Sequence, residues 1–328
     1  MNVVLWSDGR NDKKSSFPSL PLMKLSAYHK KRGDNVSMYS EDIEDCDILY
    51  KSKVFSFTKD LDWKPKAGKV VSGGSGYAIS VSEDSIESYC KSDDVALDGE
   101  IESQYPDYSI YPQHKREAYG FLTRGCPRNC PFCIVSEKDG KKVVKVADLV
   151  DIWRGQKYIK LMDANILASK DREGLLVQLA KSRAFIDYTQ GLDVRLIDGD
   201  VAKLISNTRV EMIHFAFDSM KDEKQIIKGL QTFKDHTDKH CGALRVYVLV
   251  NYDTTREEDV YRLRKIAELG YQPYVMIYQR GTHDEFTTRL RTWANSPYYF
   301  SCDFYDYRYT KNGKTCGEIY GDICKIKG

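Results

Sequence analysis

The chain has 328 residues, of which 41% are hydrophobic and 30% are charged, and its formal net charge is +2. This length suits one large or two medium domains, and the composition is typical of a soluble globular protein. The near-neutral charge argues against bulk attraction to nucleic acid. The lack of any apolar run of about 18 residues excludes a membrane span, and no signal peptide is evident, so we expect a cytoplasmic protein.

The N-terminal part of the chain has the pattern of a small parallel α/β domain. A short apolar strand at Val3–Trp6 is followed by a loop with Asp8, Gly9, Asn11 and Asp12, and then by a helix from Pro21 to about Lys31. Three further strands are predicted at Asn35–Tyr39, Asp47–Tyr50 and Lys69–Val71. We therefore predict a Rossmann-like domain that, with an irregular linker from Ser82 to Gln113, occupies residues 1–112.

Three cysteines, Cys126, Cys130 and Cys133, lie within eight residues, and the two prolines between them keep this loop out of a helix. The chain has nine cysteines, an odd number, which in a reducing compartment indicates metal binding rather than disulfides. Three kinds of site remain open. A zinc site and an electron-transfer iron–sulfur cluster both usually take four protein ligands. A four-iron cluster can instead be held by three cysteines with one iron left open.

After the cysteine loop, strand and helix patterns alternate regularly. The six predicted strands are Ala118–Arg124, Tyr158–Met162, Phe185–Thr189, Met212–Phe217, Leu244–Val250 and Tyr274–Tyr278. A capping box at Thr255 and Glu258 marks the start of one of the intervening helices. Right-handed βα units in this order predict a partial (β/α)6 TIM-like barrel over residues 113–295, with a doubly wound sheet as the alternative.

Polar side chains follow the carboxyl ends of these strands, where parallel sheets bind their ligands. The candidate residues are Asp163, Asn165, Gln190, Asp193, Arg195, Asp218 and Asn251, with Gln279 and Arg280 after the last strand. Any single one of them is equally well explained as a cap or a turn former. The set as a whole predicts a polar binding site at one edge of the sheet.

The tail, residues 296–328, is rich in aromatic residues. Tyr305, Tyr307 and Tyr309 alternate with polar residues, the Asn312–Gly313 pair is a strong turn signal, and the chain is expected to return as a strand. We predict a β-hairpin that either covers the open side of the barrel or offers a stacking surface for nucleobases. Another four cysteines of the chain, Cys241, Cys302, Cys316 and Cys324, are either buried thiols or ligands of a second metal.

The cysteine loop, with Phe132 just before its last cysteine, resembles the CxxxCxxC signature of the radical SAM enzymes. The resemblance covers about Glu117–Asn295, and the flanking segments are similar to those of small phage and bacterial members of unassigned role. It implies a [4Fe-4S] cluster on Cys126, Cys130 and Cys133, whose open iron binds S-adenosylmethionine (SAM). It further implies reductive cleavage of SAM to a 5′-deoxyadenosyl radical, hydrogen abstraction from a substrate, and an electron donor such as flavodoxin or ferredoxin.

The same resemblance implies roles for the strand-end residues. Arg195 is the candidate partner of the SAM carboxylate, and Phe132 is the candidate wall for the adenine. Acceptors for the SAM amine and ribose are expected among Asp163, Asn165, Gln190, Asp193, Asp218 and Asn251. Asp163-Ala164-Asn165 stands where many members carry Gly-Gly-Glu.

The N-terminal domain resembles the cobalamin-binding-like domain that precedes many radical SAM cores. Its first loop reads Ser7-Asp8-Gly9-Arg10 and lacks the Asp-x-His-x-x-Gly motif that ligates cobalamin, which argues against that cofactor. We expect an enzyme that modifies a nucleobase or a small metabolite. A cobalamin-dependent radical methyltransferase and a metal-binding module without catalytic activity are the alternatives.

Overall fold

A computed structural model describes residues 1–7, 17–62, 64–82, 87–278 and 283–326. The loop with Asp8, Gly9, Asn11 and Asp12 and the strand-end pair Gln279–Arg280 lie outside these residues, as does the side chain of Cys241. The chain divides into two compact units. The N-terminal unit comprises residues 1–142 and 146–160, and the C-terminal unit comprises 143–145 and 161–328. The domain bounds at 112 and 295 stay predictions.

The N-terminal unit contains the predicted parallel sheet. Its strands are β1 (Asn2–Ser7), β2 (Asn35–Met38), β3 (Asp45–Ser52) and β4 (Lys66–Gly73), in the order β2-β1-β3-β4. Helix α1 (Leu20–Lys31) follows β1. Val3 and Leu5 pack with Leu22 and Leu25 of α1, whereas Val4 and Trp6 pack in a second cluster. Residues 3–6 of β1 are all apolar, as expected for a strand with both faces buried.

Lysines occupy the outermost strand of this sheet. In the described part of the chain β4 pairs with β3, and it forms one end of the strand order. Lys66 and Lys69 on β4 are exposed. Its neighbour Val70 is also exposed, so the strand is covered less completely than β1.

Short elements lie in and just before the predicted irregular linker. Helix α2 (Ser75–Ala78) and strand β5 (Ile79–Val81) precede it, whereas β6 (Glu87–Tyr89), antiparallel to β5, and helix α3 (Gly99–Glu102) lie within it. Asp107 fastens the following segment to α1, because its carboxylate accepts hydrogen bonds from Ser26 Oγ at 2.6 Å and Lys30 Nζ at 2.7 Å. The linker is therefore packed against its own unit.

The six-stranded sheet has its strands in chain order. The strands are β7 (Glu117–Gly120), β10 (Tyr158–Leu161), β11 (Phe185–Tyr188), β12 (Arg209–Ala216), β13 (Leu244–Val250) and β14 (Gln272–Ile277). Strands β11 to β14 pair in parallel. A doubly wound sheet requires a point where the strand order reverses, and the observed order has none, so the α/β prediction with sequential βα units is confirmed. The first predicted strand is shorter than expected, because its end forms the separate strand β8 (Thr123–Arg124).

Helices are present between the strands of this region, as the alternating pattern predicts. They are α5 (Leu149–Ile152), α6 (Arg172–Ser182), α7 (Gly199–Ser206), α8 (Glu223–Asp235), α9 (Arg256–Glu268) and α10 (Glu285–Ala294). Helix α4 (Val135–Lys138) and strand β9 (Val144–Lys145) lie between the cysteines and α5. The capping box of Thr255 and Glu258 forms at the start of α9. None of the helices in the described ranges is long and apolar enough to cross a membrane.

The structure of the tail differs from the predicted β-hairpin. A single antiparallel bridge joins Arg308 and Thr315, so the turn between them is confirmed. The returning segment is the helix α12 (Cys316–Tyr320), preceded by α11 (Tyr298–Ser301). Thr315 caps α12 through a capping box with Glu318. This local Thr-x-x-Glu signal outweighs the alternation of tyrosines that suggested a strand.

Two helical glycines allow a matched test of packing. A Cβ on Gly229 of α8 would lie 2.1 Å from the carbonyl oxygen of Val194, whereas a Cβ on Gly174 of α6 meets nothing within 4 Å. We expect Gly229→Ala to lower the free energy of unfolding by about 1–3 kcal/mol because the helix must move away. Gly174→Ala should raise it by about 0.5 kcal/mol. Urea unfolding followed by circular dichroism measures both, and equal effects would contradict the close approach.

Asp107 predicts a pH dependence of stability. Burial raises the pKa of its carboxyl group, but hydrogen bonds from Lys30, Ser26 and Ser109 outweigh burial and lower the pKa to about 2. The charged form is therefore favoured by folding. Its contribution, about 2 kcal/mol, is complete above the unfolded pKa near ~4 and is lost as the pH falls toward 2.

We expect Asp107→Asn to destabilise the chain at pH 7 and to have little effect near pH 2. Asp62→Asn, which removes an exposed carboxylate paired with Lys59, is the control and should change little at either pH. Thermal unfolding across this pH range provides the measurement. A constant difference between wild type and Asp107→Asn at all pH values would rule out the linkage.

Candidate functional site

The three cysteines lie in an irregular loop of the N-terminal unit, between β8 and α4. Cys126 and Cys130 are half-buried and Cys133 is exposed. The backbone N–H of Cys133 donates to the carbonyl of Cys130 at 3.0 Å, and that of Cys126 donates to Gly140 at 3.0 Å. These bonds fix the backbone of the loop.

Gly125 directly precedes the first cysteine, and its backbone conformation determines how the chain enters the loop. Its φ of +95° lies in the left-handed region, and a Cβ there would lie 2.3 Å from the carbonyl oxygen of Lys142. Only glycine allows the two backbone segments to approach so closely. Arg124, just before it, lies over the ring of Phe121 at 4.0 Å and pairs with Asp139 at 3.3 Å. The base of the loop is thus held by backbone and side-chain contacts together.

The cysteines fit an iron–sulfur cluster by their chemistry. Soft thiolates are the ligands that such clusters take, and none of the three is in a disulfide. No group of three or more His, Cys, Asp or Glu side chains is gathered as a metal site among the residues that the structure describes. The cluster on Cys126, Cys130 and Cys133, with the half-buried Phe132 beside it, therefore stays a prediction.

In the C-terminal unit, three of the strand-end residues, Asn165, Asp193 and Arg195, form one polar network. Asp163 and Asn165 follow β10 and are buried, with 3% and 2% of their surface exposed. Asn165 Nδ2 donates to Asp193 Oδ2 at 3.2 Å, and Arg195 Nε donates to Asp193 Oδ1 at 2.7 Å. The structure thus joins Asn165, Asp193 and Arg195 as the sequence predicted.

Asp222 is the member of this network that sequence reasoning missed. Its carboxylate forms an ion pair with Arg195 Nη1. Asp222 immediately precedes α8, so the sequence shows it only as an ordinary residue at a helix start. Burial disfavours the charge on Arg195, but hydrogen bonds and charges from Asp193 and Asp222 raise its pKa.

The network carries more negative than positive charge. One guanidinium faces the carboxylates of Asp193 and Asp222, which leaves a formal charge of −1 for the three groups. Such a site attracts a cation more strongly than a carboxylate. The predicted pairing of Arg195 with the SAM carboxylate would require Arg195 to exchange partners, and it stays a prediction.

The remaining predicted residues mainly form hydrogen bonds with backbone groups. Asp218 accepts a hydrogen bond from the N–H of Leu249 at 2.9 Å, and burial raises its pKa. Asn251 has a φ of +64° and donates to the carbonyl of Tyr278 at 2.9 Å. Gln190 is exposed at the end of β11. Their contacts with a ligand stay predictions.

Arg262 of α9 is a second feature that the sequence did not reveal. It is fully buried, with Nη1 donating to the carbonyl of Phe217 at 2.6 Å and Nη2 to that of Leu249 at 2.8 Å. Nη2 also pairs with the buried Asp259 at 2.5 Å. An arginine and an aspartate three residues apart would have suggested an exposed helical ion pair, so only burial distinguishes this one.

The cysteines of the tail have the environment of structural thiols. Burial raises the pKa of Cys316 to about 11 and that of Cys324 to about 12. Cys324 Sγ donates to the carbonyl of Cys316 at 3.6 Å. Both thiols are protonated at neutral pH, whereas a metal ligand must be deprotonated. A second metal with Cys302 and Cys241 stays a prediction.

Comparison with known proteins gives one distant similarity. No family model matches the chain. The chain is 26% identical over 176 residues to the uncharacterized methyltransferase PH0819 of Pyrococcus horikoshii, a match that covers 47% of this chain and 38% of that protein. The matched region therefore spans about two fifths of the relative's length.

Arg262 predicts a large loss of stability on truncation. Arg262→Met removes the bonds to two strand ends and leaves Asp259 buried without its partner, so we expect the free energy of unfolding to fall by about 3–5 kcal/mol. Arg264→Met changes a half-buried arginine on the same helix that donates to the carbonyl of Lys325, and it should cost only about 1 kcal/mol. Chemical denaturation compares the two variants. Similar midpoints for both would show that the buried pair contributes little.

Proposed function

We propose that this chain is a radical SAM enzyme in which Cys126, Cys130 and Cys133 hold a [4Fe-4S] cluster. A reduced cluster of this kind supplies the electron that cleaves bound SAM to methionine and a 5′-deoxyadenosyl radical, which abstracts hydrogen from a substrate. The observation that carries the proposal is a CxxxCxxC loop placed after the first strand of a six-stranded parallel sheet in chain order.

The polar network of the C-terminal unit supports SAM as the ligand. SAM carries a sulfonium and an ammonium group, and the excess carboxylate of Asp193 and Asp222 suits both charges. Asp163, Asn165, Gln190, Asp218 and Asn251 supply further polar atoms for the amine and ribose hydroxyls. The relative's name, methyltransferase, is consistent with SAM as a shared co-substrate. Flavodoxin or ferredoxin would be the electron donor.

A cobalamin-dependent radical methyltransferase is the second candidate. Two observations favour it, namely the relative described as a methyltransferase and the parallel β2-β1-β3-β4 sheet at the N-terminus. The missing Asp-x-His-x-x-Gly motif argues against a histidine ligand for cobalt in that domain. Cobalamin that co-purifies with the chain, together with methyl transfer from SAM, would favour this candidate over the first.

The cysteines provide the direct test of the proposal. After anaerobic reconstitution with iron and sulfide, the wild-type chain should bind about four irons and, with dithionite and SAM, release 5′-deoxyadenosine. Cys126→Ala, Cys130→Ala and Cys133→Ala should each lose the cluster and at least about 100-fold of this activity, because three thiolates are the minimum set. Iron analysis, electron paramagnetic resonance and chromatography measure the outcome.

Cys90→Ala is the matched control. Cys90 is an exposed cysteine of the same unit that lies outside the loop, and its removal should leave iron content and activity unchanged. Stoichiometric zinc with no 5′-deoxyadenosine would indicate a metal-binding module instead. Loss of iron in Cys90→Ala, or a cluster retained in all three loop variants, would refute the assignment of the ligands.

A further inference from the structure

One face of the sheet formed by β12, β13 and β14 carries charged and aromatic side chains that packing alone does not require. Phe215 and Val246 belong to the face covered by helices, and Phe215 contacts Phe233 of α8 with ring centroids 5.2 Å apart. Side chains alternate along a strand, so His214, Arg245 and Tyr247 point to the opposite face. That face carries charge and aromatic rings, whereas Ile213, Phe215, Val246 and Val248 on the first face are apolar.

Four residues of this face form a compact patch, which we call the Arg245 patch: His214, Arg245, Tyr247 and Tyr274. Strand register places His214 directly beside Arg245, and Tyr247 directly beside Tyr274. The rings of His214 and Tyr247 stack with centroids 4.7 Å apart and an interplanar angle of 6°. Tyr274 meets Tyr247 edge-on at 5.7 Å. The patch therefore combines one cation with an ordered set of flat rings.

Hydrogen bonds lock the aromatic part of the patch. Tyr247 Oη donates to the carbonyl of Thr189 at 3.0 Å, and His214 Nδ1 lies 3.1 Å from the carbonyl of Tyr188. Asp187, the carboxylate on this face, lies 3.8 Å from the same histidine nitrogen. The rings are thus preorganised before any ligand arrives, which lowers the entropy cost of binding.

Arg245 carries a positive charge that acts on Tyr247 together with the negative charge of Asp187. Its Nε is buried without a hydrogen-bond partner, and no ion pair joins Arg245 to a carboxylate in the described part of the chain. Leaving a half-buried guanidinium uncompensated is costly, and a bound anion would remove that cost. Tyr274 and Met276, 37% and 36% exposed, leave room for a ligand on the same face.

We infer that the Arg245 patch binds the substrate of the proposed enzyme, and that this substrate is an aromatic or heteroaromatic molecule carrying a carboxylate or phosphate. Arg245 pairs with the anionic group, and the exposed face of Tyr274 packs against the ring. The inference names the substrate class and rests on the proposed function for the reaction. Binding at the patch is measurable without cluster or SAM.

The test uses pairs of ligands in which one member carries an anionic group and the other is its neutral counterpart. Uridine 5′-monophosphate with uridine tests a phosphate, and indole-3-acetate with indole-3-acetamide tests a carboxylate. Calorimetric titration of the full chain should show that at least one anion binds about tenfold or more tightly than its neutral partner, the effect of a single charge-assisted hydrogen bond. The pair that shows this preference identifies the anionic group.

Variants of Arg245 test whether the preference for the anion over its neutral partner arises at the Arg245 patch. Arg245→Gln should abolish it, whereas Arg245→Lys should keep part of it. Arg209→Gln makes the same change in an exposed arginine on β12 that stacks on Phe185, and it should bind as wild type does. Circular dichroism confirms that each variant is folded.

Several outcomes would overturn the inference. They are equal affinity for charged and neutral partners, no binding of either anion, an unchanged preference in Arg245→Gln, or displacement of the anion by SAM in direct competition. The 5′-deoxyadenosine assay is independent of these titrations. If the chain forms the radical but binds no anion, only the proposed substrate class is wrong. If the chain binds the anion but forms no radical, only the proposed function is wrong.

Discussion

The buried guanidinium of Arg262 sets the geometry of the strand ends in the C-terminal unit. It donates to carbonyls at Phe217 and Leu249, so one side chain of α9 ties together the carboxyl ends of β12 and β13. Asp259 compensates its charge, and Asp218 accepts from the N–H of Leu249 in the same region. Because these groups are buried, any change in one leaves a polar partner unsatisfied. Asp218, Asp259 and Arg262 are therefore held in fixed positions at the carboxyl ends of β12 and β13.

Electrostatics distinguishes the two polar regions of this unit. Around Arg195, two carboxylates outnumber one guanidinium, so the network suits a cationic ligand. Around Arg245, the guanidinium lies among aromatic rings on the face that also carries Asp187, and its buried Nε without a hydrogen-bond partner suits an anion. The two regions would thus distinguish a sulfonium co-substrate from an anionic aromatic substrate by charge. Specificity of this kind uses repulsion of the wrong ligand as well as attraction of the right one.

The fold was largely predictable from the sequence because its signals are local and periodic. Apolar runs such as Leu244–Val250 and the capping box at Thr255 define strands and helices without knowledge of the neighbours. Strand ends in a parallel sheet are also predictable, and so Asn165, Asp193 and Arg195 were identified together. The tail was mistaken for a hairpin because alternating tyrosines imitate a strand, whereas Thr315 and Glu318 start a helix. Asp222, Arg262 and Arg245 could not be assigned roles, since burial and partners arise from tertiary packing alone.

The lysines of β4 have a consequence for the behaviour of the chain in solution. In the described residues β4 ends the N-terminal sheet, and the outer edge of such a strand offers backbone groups to any other extended chain. Lys66 and Lys69 place positive charge there, beside the exposed Val70. Two copies that met edge to edge would bring like charges together and leave those ammonium groups poorly hydrated. The strand thereby discourages sheet extension and fibril-like aggregation during synthesis and storage.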